Sequence, residues 1–196
     1  MFSCFARIGI MVLVMSSINT SHGSEYTSSV NAHVHVHGLS TLTIVAEQNT
    51  LKIELHSPSV DIIGFEHKAT SASDIAQLDK AVITLRQHNA LFNIQGTHCL
   101  HVNTVVAIPP SVASLDEGDT LHHHDELNIT SDHHDGHSEM IASYVFQCHD
   151  MTKLLSIEVK MFEVFSGMKD INTMWVTQAQ QGATKLTPDQ PMIVFK

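Results

Sequence analysis

The chain has 196 residues, and its 10 Lys and Arg stand against 20 Asp and Glu and 16 His, which gives a formal net charge of −10. This acidic balance argues against nucleic acid and membrane surfaces as partners, because phosphate backbones and anionic lipids would be repelled. The length suits one domain with a buried core, and the histidine content points to cations as partners.

Residues 1–23 have the pattern of a secretory signal peptide. One cation, Arg7, precedes an apolar run at residues 8–15, and Ser21 and Gly23 follow at positions suited to cleavage. The run is far shorter than the ~20 residues that cross a bilayer, and Cys4 lies ahead of it, where it cannot carry a lipid anchor. We therefore expect an exported chain, residues 24–196, that forms one domain and is not stably inserted in a membrane.

A strand pattern opens the predicted domain. At residues 39–56, apolar and polar residues alternate on both sides of a short polar turn at Gln48 and Asn49. This pattern predicts a β-hairpin with one buried face. Ser57 and Pro58 are expected to end it.

A helical pattern follows at residues 71–89. The apolar residues recur at helical spacing, and Ser71 or Ser73 is placed to cap the helix N-terminus. We expect this amphipathic helix to pack on the sheet. His88 lies near its predicted C-terminal end, where a cation suits the helix dipole, so we assign it a structural role.

The rest of the ordered chain is expected to be mainly β. Residues 100–108 read as a strand that ends at Pro109 and Pro110, and further strands are expected at residues 140–146, 155–159, 173–177 and 192–195. Residues 42–64 and 144–167 share a loose order of strand, turn, strand, apolar segment and glycine, which suggests an internal duplication of a hairpin-helix unit. The predicted fold class is α+β, mainly antiparallel β with one or two packed helices.

Two cysteines, Cys99 and Cys148, remain after removal of the signal peptide. In an oxidising compartment, a disulfide is the default interpretation of such a pair. The alternative is metal binding by the two thiolates, because His98, His101 and His149 flank them.

A low-complexity, acidic and histidine-rich stretch occupies residues 111–138, and we expect it to be a disordered loop. Flexible imidazoles bind Zn²⁺, Cu²⁺ and Ni²⁺, but each site would be weak because the loop must become ordered on binding. Binding should fail as the pH falls through about 6.5, where imidazole is protonated. The candidate ligands in this stretch are His122, His123, His124, His133, His134 and His137.

A second group of candidate ligands precedes the hairpin. His33, His35 and His37 alternate with apolar residues, so their side chains project from one face of an extended segment. Two imidazoles at this spacing can bind one zinc ion in a tetrahedral site. The alternative interpretation is a solvated N-terminal arm.

A third group of candidate ligands follows apolar segments that are predicted to be buried, a position where functional sites often occur. Its members are His56, Glu66 and His67, with Asp61 between them. In a flat hairpin His56 faces Thr41, about 13 Å from His37. The two could meet only if the chain before residue 39 folds back, which Gly38 permits. Alternatively, His56 is a strand-end histidine with a local hydrogen bond.

The order and spacing of several motifs resemble the ZrgA family of periplasmic zinc-uptake proteins of Gram-negative bacteria. These motifs are His35-Val36-His37-Gly38, Leu55-His56-Ser57-Pro58, Gly64-Phe65-Glu66-His67 and the pair Cys99 and Cys148. The resemblance implies a zinc-binding subunit that serves inner-membrane transporter components. It makes His35, His37, His56, Glu66 and His67 the best candidates for a structured site.

Zinc is the expected metal because the ligands are imidazole and carboxylate, although Cu²⁺ or Ni²⁺ also binds such ligands. We expect the protein to capture zinc for an uptake system and not to be an enzyme. The alternatives are a metal buffer or detoxification protein without a transporter, and an exported zinc hydrolase. The chain has no His-Glu-x-x-His motif, and His122-His123-His124-Asp125 lacks hydrolase spacing.

Overall fold

The computed structural model of the chain describes residues 36–113 and 138–195. Within them the elements are, in chain order, β1 (Leu39–Glu47), β2 (Thr50–Pro58), α1 (Ser59–Ile63), α2 (Ala72–Arg86), α3 (His88–Leu91), β3 (Phe92–Gln95), β4 (Cys99–Ala107), β5 (Glu139–Cys148), a 3₁₀ turn (Met151–Lys153), β6 (Ser156–Val159), α4 (Met161–Val164), β7 (Asp170–Val176), β8 (Gln181–Leu186) and β9 (Met192–Val194). This composition confirms the α+β prediction.

The strands form two sheets. The large sheet has six strands in the order β4-β5-β2-β1-β7-β8, and the small sheet has three in the order β3-β6-β9. All neighbouring strands are antiparallel except β1 and β7, which are parallel. The fold is therefore mainly antiparallel β, as expected.

The predicted hairpin is confirmed as β1 and β2. Its turn lies at Gln48 and Asn49, and Thr41 pairs with His56. The apolar side chains of one face are buried against the helices and the small sheet in one continuous core. The alternating residues on the other face are partly or fully exposed, as is usual for an antiparallel sheet covered on one side.

Helix α2 begins where the sequence predicts and ends earlier. The Ser71 side chain accepts a 3.1 Å hydrogen bond from the Asp74 N–H and caps the N-terminus. The helix stops at Arg86 instead of residue 89, because Gln87 leaves the helical conformation. His88 follows Gln87 as the first residue of α3, so it lies near the C-terminal end of α2, as predicted, but outside the helix itself.

The second half contains the predicted strands, but the suggested duplication of the hairpin is wrong. Strand β5 pairs with β2 and β4 in the large sheet, whereas β6 pairs with β3 and β9 in the small one. The strands after residue 139 that resemble a hairpin in sequence therefore belong to different layers. The short elements α1, α4, β3 and β8 were not predicted, since four to six residues give little periodicity.

A disulfide between Cys99 and Cys148 is present, as predicted. The two residues are directly paired where β4 begins and β5 ends. The thiolate alternative does not apply to this bonded pair. None of the helices in the described part of the chain is long and apolar enough to span a membrane.

Candidate metal site

Several predicted ligands lie outside the described residues, and so do residues 1–23 and most of the histidine-rich stretch. The ligands concerned are His33, His35, His122, His123, His124, His133, His134 and His137. Of the five best candidates, the structure describes His37, His56, Glu66 and His67.

His37 and Glu66 come together at the start of β1. The Nε2 atom of His37 lies 3.3 Å from the Oε1 atom of Glu66. The contact does not have the geometry of a hydrogen bond. Glu66 Oε1, which is buried, therefore has no hydrogen-bond partner within the described structure. A buried carboxylate oxygen without a partner is costly, and a cation held by both side chains would satisfy it.

A turn at Gly38 brings His37 to this position, and the folded core holds that turn on both sides. Leu39 N donates to Val36 O, and Gly38 adopts a φ of 85°, which glycine tolerates best. The N atom of Gly38 lies 2.8 and 2.9 Å from the two carboxylate oxygens of Asp61. Its carbonyl accepts bonds from the backbone of Lys169 and Asp170. The chain folds back here, as the sequence allowed.

Asp61 is a buried carboxylate behind the His37 and Glu66 pair. Its residue is 4% exposed. Burial raises the pKa of Asp61, although the bonds from Gly38 and the nearby charges of His37 and Lys169 oppose the shift. There is no room for a side chain at Gly167, where a Cβ atom would lie 2.7 Å from the Asp61 Cα. Asp61 therefore has a fixed position beneath the turn.

His56 lies in a separate cluster on the exposed face of β2. Its Nε2 atom is 2.8 Å from Glu54 Oε1, and its Nδ1 atom is 3.2 Å from Glu139 Oε2. Ser143 also donates to Glu54. Since both ring nitrogens already have carboxylate partners, His56 is not placed with His37.

His67 is also separate from the His37 and Glu66 pair in its contacts. Its Nε2 atom is 3.5 Å from Asp74 Oδ2, and its ring lies 4.6 Å from that of Phe65. Across residues 36–113 and 138–195, no three His, Cys, Asp or Glu side chains are arranged to hold a metal ion. The structure thus brings two of the candidate ligands, His37 and Glu66, into contact. A complete zinc site would need further ligands.

A search against known protein families matches residues 34–195 to the ZrgA family zinc uptake protein. The chain belongs to the ZrgA family. No curated protein matches the chain. The resemblance seen in the sequence is confirmed, and family membership indicates a role in zinc uptake, with zinc as the metal handled.

The donor chemistry at His37 and Glu66 fits the cargo of a ZrgA family protein. Zinc binds imidazole nitrogen and carboxylate oxygen at about 2.0–2.2 Å and usually takes four ligands. His37 and Glu66 supply one donor of each kind. The family match begins at residue 34 and so includes His35, which is two residues from His37 in the chain.

Glu54 and Glu139, the partners of His56, were missed by the sequence analysis. Glu54 could have been found, because residues two apart on a strand share a face. Glu139 is 83 residues away and meets His56 only because β5 pairs with β2. A second unpredicted group is the stacked pair His88 and His101, with ring centroids 4.0 Å apart. Burial, followed by the His101 charge, lowers the pKa of His88.

The His56 cluster should make stability depend on pH in this ZrgA family protein. Partial burial alone would lower the pKa of His56, but the hydrogen bonds and charges of Glu54 and Glu139 outweigh it and raise the pKa. The stabilisation is therefore complete below the ordinary imidazole pKa of about 6.5 and is lost as the pH rises through the higher folded-state pKa.

We expect His56→Gln to remove the corresponding decline in unfolding free energy as the pH rises above the ordinary imidazole pKa of about 6.5. Urea unfolding of both proteins in a chelator, at several pH values below and above that value, measures the difference. The double substitution Glu54→Gln and Glu139→Gln, with His56 retained, should flatten the profile in the same way. An unchanged decline in His56→Gln would show that another group causes it.

Proposed function

We propose that this ZrgA family protein is an exported, periplasmic zinc-binding protein that captures zinc and supplies it to an inner-membrane uptake system. The observation that carries the proposal is the contact between His37 Nε2 and Glu66 Oε1, a buried oxygen with no hydrogen-bond partner among the described residues. The contact brings two zinc-type donors together next to the folded core. The signal-like residues 1–23 support export.

The structured site is proposed to consist of His37 and Glu66, completed by His35 or His33 from the segment before the turn. The clamp on Gly38 supports this assignment, because it fixes the backbone next to His37 through Asp61 and through Lys169 and Asp170. A metal ligand whose position is fixed before zinc binds loses less conformational entropy on binding than a ligand in a flexible segment. This site should therefore bind zinc more tightly than the histidines of residues 111–138.

Zinc titration of residues 24–196 and of the same chain without residues 119–137 tests the site. We expect the deletion to remove weak sites and to leave at least one tight site. If the deletion removes all binding, the structured site is wrong. Competition with Cu²⁺ and Ni²⁺ in the same titrations measures the selectivity, which is expected to be modest.

The transport role needs a test in the cell. A strain without the gene should grow poorly under zinc limitation, and added zinc should restore growth. Fractionation should place the protein in the periplasm. Induction by excess zinc instead of zinc starvation would favour a buffering or detoxification role without a transporter. We propose that the protein is not an enzyme, since its sequence lacks the zinc-hydrolase motifs.

A further inference from the structure

The large sheet has one face covered by the core and one face turned to solvent. The solvent-facing side is here called the outer face. It consists of the residues that alternate with the buried ones on β5, β2, β1 and β7, and of the residues of β4 and β8 that pair with them. Strand registers place eight large apolar side chains on it. They are Leu39, Val45, Leu100, Val105, Ile141, Val145, Met174 and Val176.

Four of these side chains are strongly exposed, which is unusual for such residues on one surface. Leu100 is 63% exposed, Val105 56%, Met174 53% and Val176 43%. Single exposed apolar residues are common, but a contiguous group of them marks an interaction surface.

The strand pairing connects these residues across the sheet. One row runs from Val145 through Lys52 and Val45 to Val176. The neighbouring row runs from Val105 to Met174 by way of Ser143, Glu54 and Thr43. The apolar side chains therefore form two groups, one on β4 and β5 and one on β1 and β7, with Lys52 and Glu54 of β2 between them.

The area of the outer face is sufficient for a pair of copies. Six strands at about 4.8 Å spacing, with about seven residues each at about 3.3 Å, cover about 670 Å². Two such faces in contact would bury about 1,300 Å², at the lower end of the range for specific interfaces. An interface of this size is expected to be weak and reversible.

The charges of the outer face also favour a second copy of this acidic chain. The whole sequence has a net charge of −10, which opposes self-association in general. The outer face carries both signs, and its charged residues are Lys52 and Lys185 with Glu47, Glu54, Glu139 and Asp170. Asp170 already pairs with Lys185 at 2.7 Å. These six residues carry a net formal charge of only −2, so two outer faces repel each other much less than the charge of the whole chain would suggest.

We propose that two copies of this protein associate through their outer faces and form a two-fold symmetric dimer of packed sheets. Sheets that pack face to face interdigitate apolar side chains in this way. A two-fold axis across the strands places Lys52 of one copy opposite Glu54 of the other, because these residues lie in neighbouring rows of β2. The contact is then apolar at its flanks and charge-paired at its centre.

Sedimentation velocity of residues 24–196 in a chelator, up to about 100 µM, tests the dimer. We expect reversible dimerisation with a Kd in the micromolar range. Val105→Glu and Met174→Glu should each weaken it at least 10-fold, since each would bury charges at the interface. Ile83→Glu is the matched control, because Ile83 is 58% exposed on α2, away from the outer face. Circular dichroism verifies that each variant is folded.

A monomer at the highest concentration would overturn the proposal. So would a dimer that persists in Val105→Glu and Met174→Glu, or one that Ile83→Glu weakens equally. A dimer that forms only with added zinc would point to bridging by histidines and would also overturn it.

Discussion

Replacement of His37 by Ala should weaken the tight zinc site by at least about 10- to 100-fold, the loss usually seen when even an outer partner of a metal ligand is removed. His37 supplies the only imidazole that the described residues place against Glu66. The measurement is competition with a zinc chelator, on the chain without residues 119–137, so that loop histidines do not contribute.

Glu66→Gln gives a second, independent readout at the same site. It should weaken zinc binding to a similar extent, because it removes the negative charge that favours the cation. It should lower the stability of the zinc-free protein little, since Glu66 Oε1 has no hydrogen-bond partner among the described residues and its contact with His37 is to a mostly exposed side chain. Loss of both zinc affinity and apo stability would indicate a structural role for Glu66 instead.

His67→Ala is the matched control for both substitutions. His67 is exposed and contacts Asp74 and Phe65, not the His37 and Glu66 pair. We expect the zinc affinity of the His67→Ala variant to stay within about twofold of the parent value, as for a surface substitution away from the site. If His67→Ala weakens binding as much as His37→Ala does, the site extends further along the chain than proposed.

Removal of the disulfide should cause the largest loss of stability. Cys99 and Cys148 are 49 residues apart, and a loop of this length corresponds to about 4 kcal/mol in the chain-entropy description. For a domain of this size, such a loss lowers the Tm by about 10 °C. The variant is Cys99→Ser with Cys148→Ser, and thermal and urea unfolding in a chelator measure the change.

The same variant should keep its tight zinc site, because neither cysteine contacts His37, Asp61 or Glu66. Parent protein treated with a reductant provides the control, and its stability should approach that of the double variant. A loss below about 1 kcal/mol would mean that the unfolded chain is already compact across this loop.

The sequence predicted those features that depend on local patterns. The period-2 alternation of residues 39–56 determined the hairpin and the pairing of Thr41 with His56. Ser71 was one of two serines predicted to cap the helix from their position before the helical repeat, and the structure selects it over Ser73. The fold class followed from the number of such strands.

Features that depend on contacts between distant segments could not be predicted. Glu139 meets His56 because two strands pair across 83 residues, and no local pattern specifies that register. The clamp of Asp61 on Gly38 joins residues 23 apart. The family resemblance grouped His56 and His67 with His37 and Glu66, but the structure gives His56 and His67 other carboxylate partners.

The ends of the histidine-rich stretch are anchored in the fold independently of its length. Val112 is fully buried and its carbonyl accepts from Ala69 N, while Ser138 O accepts from Ser59 N. In the sheet, the paired residues of β4 and β5 that lie nearest to this stretch are Ala107 and Ile141. Doubling the length of a flexible connection costs only about 0.6 kcal/mol. We therefore expect that residues 114–137 can change in length and composition with little effect on the stability of the described domain.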